Sequence, residues 1–398
     1  MAFKENLNTK SAYIEDLLKE YMPKEEGYQK TIFEAMNYEE MLRRELTLIT
    51  PADEGAMARA AVYQGTLAKP PGSLGALENI YIRLCGISGK LRPVYSPCRI
   101  IVLCADNGVV EEGVSVTPRS VTAAQAVNMT NYCTGMSAMA HHFGDEIQGV
   151  DVGIADEYDC PAILNRRILP GTRNLAREPA MTRQEAARSV WTGMELARQA
   201  KDEGVAILGA GEMGIGNTTT SAAVLAALTG LPGEVVTGRG GGMTDAGFLR
   251  KKQVITDALA LHRPDKNDVL DVLSKVGGLD IAAMCGVFLG AARQRLPVVI
   301  DGFISVVAAL CAGRLCPAAE DYFFASHASH EVGYAAAIQE LGLTPWLHLG
   351  MRLGEGSGCP IAFRVMEAAC AAAEGMATFA GAAIDDSYLD DIRGKDCF

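Results

Sequence analysis

The residues best suited to chemistry sit in glycine-rich stretches. Gly209-Ala210-Gly211-Glu212-Met213-Gly214 continues through Ile215-Gly216 into Asn217-Thr218-Thr219. Glycines followed directly by amide and hydroxyl side chains at a helix start suit an anion held on backbone N–H groups, so one phosphate fits there. The alternative is a turn whose glycines serve close strand-to-helix packing. Two further turns of the same kind, Gly238-Arg239-Gly240-Gly241 and Asp301-Gly302-Phe303, weigh toward the phosphate. The first six residues also satisfy GxGxxG, which invites a dinucleotide-binding oxidoreductase. That fingerprint wants an acidic residue at the end of the next strand, whereas the run Glu234-Val235-Val236-Thr237 carries its carboxylate at the beginning.

Near the end of the chain, Met351-Arg352-Leu353-Gly354-Glu355-Gly356-Ser357-Gly358 places a carboxylate among glycines with apolar residues on either side. Such a carboxylate is either a helix N-terminal capping group or a partly desolvated general base. Spacing alone does not choose between them.

Positioning these groups requires a particular framework. Short apolar runs ending in glycine-rich turns, each followed by a helical stretch, begin at Arg99: RIIVLCADNG, EIQGVDVGI, VAILGAGEMG, EVVTGRGG, LPVVIDGF and YFFASHASH. This alternation predicts an α/β fold, a mostly parallel Rossmann-like sheet covered by helices, with the turns crowded at the carboxyl ends of the strands. Helix starts are expected at Thr117-Pro118, at Thr182 with Glu185 as a capping box, and at Asn217. Upstream, Met1 to about Thr66 is rich in Glu and Lys, and the spacing of Ile14, Leu17 and Leu18 predicts surface helices.

Composition sets the outer bounds. With 398 residues, 49% hydrophobic and 21% charged, the chain has ample material for a large packed core. A formal net charge of −12 argues against broad binding to nucleic acid or anionic membrane, both of which need a basic surface. Eleven cysteines form no CxxC pair, and Cys104, Cys285 and Cys370 lie in apolar segments, as reduced cytosolic core residues do. Six histidines, including the adjacent His141 and His142, form no zinc-ligand pattern, so no metal is expected. The first residues are too charged for a signal peptide, and no apolar run reaches the ~18 residues of a membrane span. A cytoplasmic protein is expected.

The order of several motifs is more specific than any one of them. Lys69-Pro70-Pro71-Gly72-Ser73-Leu74-Gly75, Ala105-Asp106-Asn107-Gly108-Val109 with Glu112-Gly113-Val114, the run from Gly211 to Thr219, Gly277-Gly278, Asp301-Gly302-Phe303 and Met351 to Gly356 follow one another as they do in the nicotinate-nucleotide:dimethylbenzimidazole phosphoribosyltransferases. The chain resembles that family from about Ala56 to Ala380, and its first ~40 residues look like an extension over shorter members.

The resemblance implies a pentosyltransferase that moves phosphoribose from nicotinate mononucleotide to an aromatic lower-ligand base of a cobamide, without metal or redox cofactor. It implies Glu355 as catalytic base and Glu212 as a second active-site carboxylate. Gly214, Gly216, Asn217, Thr218, Thr219, Gly238, Gly240, Lys251, Asp301, Gly302, Ser329 and Arg352 match positions at the nucleotide and its phosphate. Asn107, Thr117, Gln125, Met213, Leu353 and Gly354 match positions around the acceptor base. Asn107 and Thr117 depart from the family's usual histidine and serine, and Asp280 from a glutamate. The altered pocket leaves open a phenol- or cresol-using member of a heterodimer with a paralogous subunit, or a non-catalytic partner subunit; otherwise a homodimer is implied. The implied organisation is an N-terminal helical extension (1–55), a small helical domain from both chain ends (56–98 and 355–398) and a parallel α/β catalytic domain (99–354).

Overall fold

A computed structural model describes residues 37–391; the expected helix at Ile14, Leu17 and Leu18, together with Cys397, lies outside the described residues. Helices α1 (Tyr38–Leu46), α2 (Glu54–Thr66) and α3 (Ala76–Ser88) precede strand β1 (Cys98–Ala105). Helices α4 (Val121–Thr130) and α5 (Gly135–Phe143) lead to β2 (Glu146–Gly153) and the two-residue β3 (Leu164–Asn165), and α6 (Arg183–Asp202) leads to β4 (Ile207–Met213). Five helices follow: α7 (Asn217–Thr229), α8 (Gly233–Val236), α9 (Asp245–His262), α10 (Val269–Val276) and α11 (Leu279–Arg293). Then come β5 (Val298–Ile300), α12 (Phe303–Leu315), β6 (Phe323–Ala325), α13 (Val332–Glu340) and α14 (Cys359–Gly375).

The six strands form one parallel sheet in the order β3-β2-β1-β4-β5-β6. Buried on both faces, the central strands are apolar throughout: Ile100 to Ala105 have no exposed surface. The chain runs outward from β1 to β3, then returns to place β4 on the other side of β1. The switch point therefore lies between β1 and β4, where the loops beyond their carboxyl ends diverge and leave a crevice. Glu212 and Met213 occupy the end of β4, paired with Leu103 and Cys104.

Two expectations are corrected. The run at Glu234 is not a strand: Pro232, with φ −58°, starts the single helical turn α8, and the Thr237 hydroxyl closes it on the Gly233 carbonyl at 2.6 Å. The first two glycines of GxGxxG are not in a turn either, because Gly209 and Gly211 lie inside β4; only Gly214 follows the strand. A Cβ at Gly209 would stand 2.8 Å from Cys359, and one at Gly211 would stand 2.6 Å from the Glu355 carbonyl. These glycines admit α14 and its preceding loop onto the sheet, which removes the structural basis for a dinucleotide turn. Helix α4 starts at Val121, four residues beyond Thr117, after a turn closed by Val121 N–H on the Pro118 carbonyl. The Thr182–Glu185 capping box is present, as is the helix start at Asn217.

Helix α2 and the segment that ends α14 meet at one side. The Tyr63 hydroxyl donates to the Ala373 carbonyl at 2.9 Å, and Leu67 bridges Thr378 antiparallel. Arg83 joins this region to the sheet by donating to the Phe323 carbonyl at 2.6 Å. On the other side, α11 lies against α6, with the Ser189 hydroxyl on the Leu279 carbonyl at 2.7 Å. That contact holds the first turn of α11, and with it Asp280, under the crevice. Cys104, Cys285 and Cys370 are buried free thiols. Among the described residues no helix is long and apolar enough to cross a membrane.

Candidate active site

The turn that carries Glu355 is a conformational outlier. Gly354, Glu355 and Gly356 have φ of 83°, 63° and 86° in succession. Glycine takes this region freely, but a glutamate there carries a strain of order 1–3 kcal/mol and persists only where its surroundings impose it. Three contacts impose it here. Asp301, at the end of β5, accepts the N–H of Gly356 at 3.0 Å and that of Gly358 at 2.7 Å. Glu212 accepts the Glu355 N–H at 3.4 Å.

Glu355 does not cap the helix that follows it in sequence. Asp301 satisfies the N–H groups leading into α14, and Glu355 turns the other way, toward the crevice between α4 and α5. Its Oε1 accepts from Gln125 Nε2 at 3.5 Å, and its Oε2 accepts from the Met136 N–H in the first turn of α5 at 3.4 Å. Asn128 fixes the Gln125 amide by donating to its oxygen at 2.9 Å. The residue is 5% exposed, yet both contacts of its carboxylate are long. Its oxygens therefore keep lone-pair capacity for a proton arriving from the crevice.

The crevice has a volume of about 220 Å³, and of the expected residues Glu355, Glu212, Met213, Gly214, Gly216, Asn217, Thr218, Gly240, Asp301, Gly302, Ser329, Arg352, Leu353, Gly354, Thr117 and Gln125 line it. One end is apolar at the rim, where the exposed Leu353 leans over Gly135. The other end holds the start of α7, with Gly216 at φ 95° and Gly240 opposite. Behind it the fully buried Lys251 donates to the Thr218 hydroxyl at 2.8 Å. Burial pushes the Lys251 ammonium down to about 8, against the opposing charge of Glu331.

Four expected residues stand elsewhere. Asn107 has no exposed surface and lies behind Gly214, accepting from the Thr220 hydroxyl at 3.4 Å, because it follows the last buried residue of β1 and faces Asp280. Thr219 is fully buried on the inner side of α7. Gly238 faces Glu331, whose carboxylate oxygen fills the space that a Cβ would take. Lys251 stands behind Thr218 and Gly240, outside the crevice lining. Conversely Ser115, Ile215, Phe303, His327 and Glu331 line the crevice without having been singled out for it. The position of His327 just past β6 was the available signal for that residue.

Electrostatically the crevice floor is dominated by carboxyls. Burial, aided by Asp280, pushes Glu212 up to about 8; burial pushes Asp301 up to about 7 and Asp280 up to about 6. Among the described residues no three His, Cys, Asp or Glu side chains are placed to hold a metal ion.

A doubly wound parallel sheet, an anion-competent helix start and a strained carboxylate turn facing one crevice define an α/β group-transfer enzyme. The chain belongs to the nicotinate-nucleotide–dimethylbenzimidazole phosphoribosyltransferase family: a family model described as phosphoribosyltransferase matches residues 49–384. A relative of that name from Clostridium perfringens is 49% identical over 90% of this chain and 99% of its own length. Another, from Clostridium tetani, is 45% identical over 90% of this chain and 98% of its own. A crystal structure of the enzyme of that name from Thermus thermophilus superposes with a TM-score of 0.79 at 40% identity, covering 84% of this chain and 99% of the other.

Proposed function

We propose that this chain transfers the phosphoribosyl group of nicotinate mononucleotide to 5,6-dimethylbenzimidazole or a closely related aromatic base, releasing nicotinate and forming the α-riboside 5'-phosphate used in cobamide assembly. The observation that carries this is Glu355, aimed from a strained turn into the same crevice that the anion-competent start of α7 lines. The bond from ribose C1' to the pyridinium nitrogen breaks with its electron pair returning to the ring, so a neutral pyridine leaves without a general acid. The acceptor nitrogen attacks C1' from the opposite face, which inverts the β-linked donor to an α product. The hydrogen on the second nitrogen of the acceptor ring, made acidic by the new N–C1' bond, then passes to Glu355 and leaves the ring neutral. The Glu212 carboxylate, at the end of β4, faces the positive charge that develops on the ribose.

The relatives above carry dimethylbenzimidazole in their names, and the phenol alternative finds no support in them. The working unit under this proposal is a dimer, of two copies or of this chain with a related subunit, acting in the cytoplasm. The segments 56–98 and 355–398 are its small helical domain under this proposal, with 392–398 outside the described residues. Incubation with nicotinate mononucleotide and separate benzimidazole, purine and phenol acceptors, with products identified by mass, tests the assignment. An α-riboside phosphate with dimethylbenzimidazole is expected; absence of product with every base overturns it.

Lys251 serves the donor phosphate in this scheme through its place beside Thr218. Replacing it with Met removes a charge-assisted contact of about 1.5–3 kcal/mol. The expected result is a rise of roughly tenfold to a hundredfold in KM for the mononucleotide, with KM for the acceptor unchanged in steady-state kinetics.

A further inference from the structure

Beneath the crevice two carboxyls share one amide. Asn217, the first residue of α7, donates one Nδ2 hydrogen to Glu212 Oε2 and the other to Asp280 Oδ2, the latter at 3.1 Å. The remaining oxygens accept backbone N–H groups, Glu355 N on Glu212 Oε1 at 3.4 Å and Ile281 N on Asp280 Oδ1 at 2.9 Å. Asp280 has no exposed surface and Glu212 is 7% exposed, so water screens neither well. The groups facing the pair are Cys104 from β1, Asn107 from the loop after β1, Asp301 from the end of β5 and the Glu355 turn. None of these is a cation, and burial holds the Cys104 thiol well above its usual range, in the neutral form.

Two ionised carboxylates cannot share a single amide in such a site without strong mutual repulsion. The only side that can supply a compensating positive charge is the crevice itself, onto which Glu212 opens. We propose that Asp280 is a positioning residue for Glu212: through Asn217 it keeps one proton on the pair while the crevice is empty, and that proton passes to solvent as the cationic ring of the donor enters. Glu212 thus becomes an anion only when a cation is there to face it. The role of the donor rests on the transfer proposed above; the shared proton of the empty site does not.

The sign of the pH dependence follows from the causes: burial holds both carboxyls above their usual range, and the charge of Asp280 raises Glu212 further. At neutral pH the pair as a whole therefore keeps a proton. Replacing Asp280 by Asn removes the negative neighbour at constant shape, so Glu212 must release its proton at lower pH.

The test begins with the ligand-free protein. Infrared difference spectra across a pH titration are expected to contain the carbonyl band of a buried protonated carboxyl that disappears as pH rises toward 8. Asp280 and Asp301, which burial also raises, contribute carboxyl bands of their own at lower pH, so the band that reads Glu212 is the one that titrates highest. It should be missing in Glu212→Gln and should titrate about one pH unit or more lower in Asp280→Asn. Calorimetry of nicotinate mononucleotide binding at pH 7 in buffers of different ionisation enthalpy should report about one proton released by the natural protein and clearly less by Asp280→Asn. Asp280→Glu, which restores the charge, should move both readouts back. If Asp280→Asn folds and leaves the band and the proton count unchanged, or if Glu212→Gln keeps the band, the proposal fails. An enzyme that makes no product yet shows the titrating band would overturn the transfer and leave the shared proton standing.

Discussion

Glu355→Gln is expected to lower kcat by ~10²–10⁴-fold, roughly 3–5 kcal/mol of barrier, while leaving affinity for the mononucleotide largely intact. The donor leaves as a neutral ring and needs no proton, so the base acts on the incoming ring alone. Glutamine keeps the volume of the side chain, and its oxygen can still accept from Gln125 or from the Met136 N–H. What it loses is the capacity to take up a proton. Single-turnover product formation, quantified by mass together with equilibrium donor binding, separates the two quantities. A variant with natural kcat would remove Glu355 from the reaction.

Gly211→Ala is expected to cost about as much at a position that touches no substrate. Its Cβ would lie 2.6 Å from the Glu355 carbonyl oxygen and 2.9 Å from the Gly356 nitrogen, and neither backbone atom can swing aside as a flexible side chain would. The turn is pinned on its other flank by Asp301, so the clash must displace Glu355 or bend β4. A displacement of about 1 Å in a catalytic group costs on the order of 10²-fold in rate, and overpacking of this kind destabilises by about 1–3 kcal/mol. The expected result is a fall of roughly 10²-fold in kcat/KM with a lowered Tm. If the variant melts lower but retains natural kcat, the turn is not held in register by β4.

Much of the framework was legible along the chain. Five of the six apolar runs became strands, because a short β-branched run ending in glycine and followed by helical spacing has few other solutions. The run at Glu234 misled because a proline and a closing threonine hydroxyl make one helical turn from residues that favour strands. β3, with two residues, offered no periodicity to detect. Among the site residues, Glu355, Glu212 and the start of α7 were found because their order in sequence is distinctive. Asn107, Thr219 and Gly238 were placed in the crevice by the same order and stand behind it, since neighbouring positions on one loop or helix can face opposite ways.

The sequence by itself determined the family, the parallel α/β class and the presence of a carboxylate on a glycine turn, because these are carried by residue type and order within short windows. Only the tertiary structure decided where that carboxylate points. Asp301, just past β5, caps the chain ahead of α14 and leaves Glu355 to face α4 and α5, while Asn217 joins Glu212 to an aspartate on α11. The physical reason is that a hydrogen bond is settled by which groups approach within about 3 Å. Positions 212, 280, 301 and 355 become neighbours only once the sheet has ordered β4 beside β5 and α11 has closed beneath them.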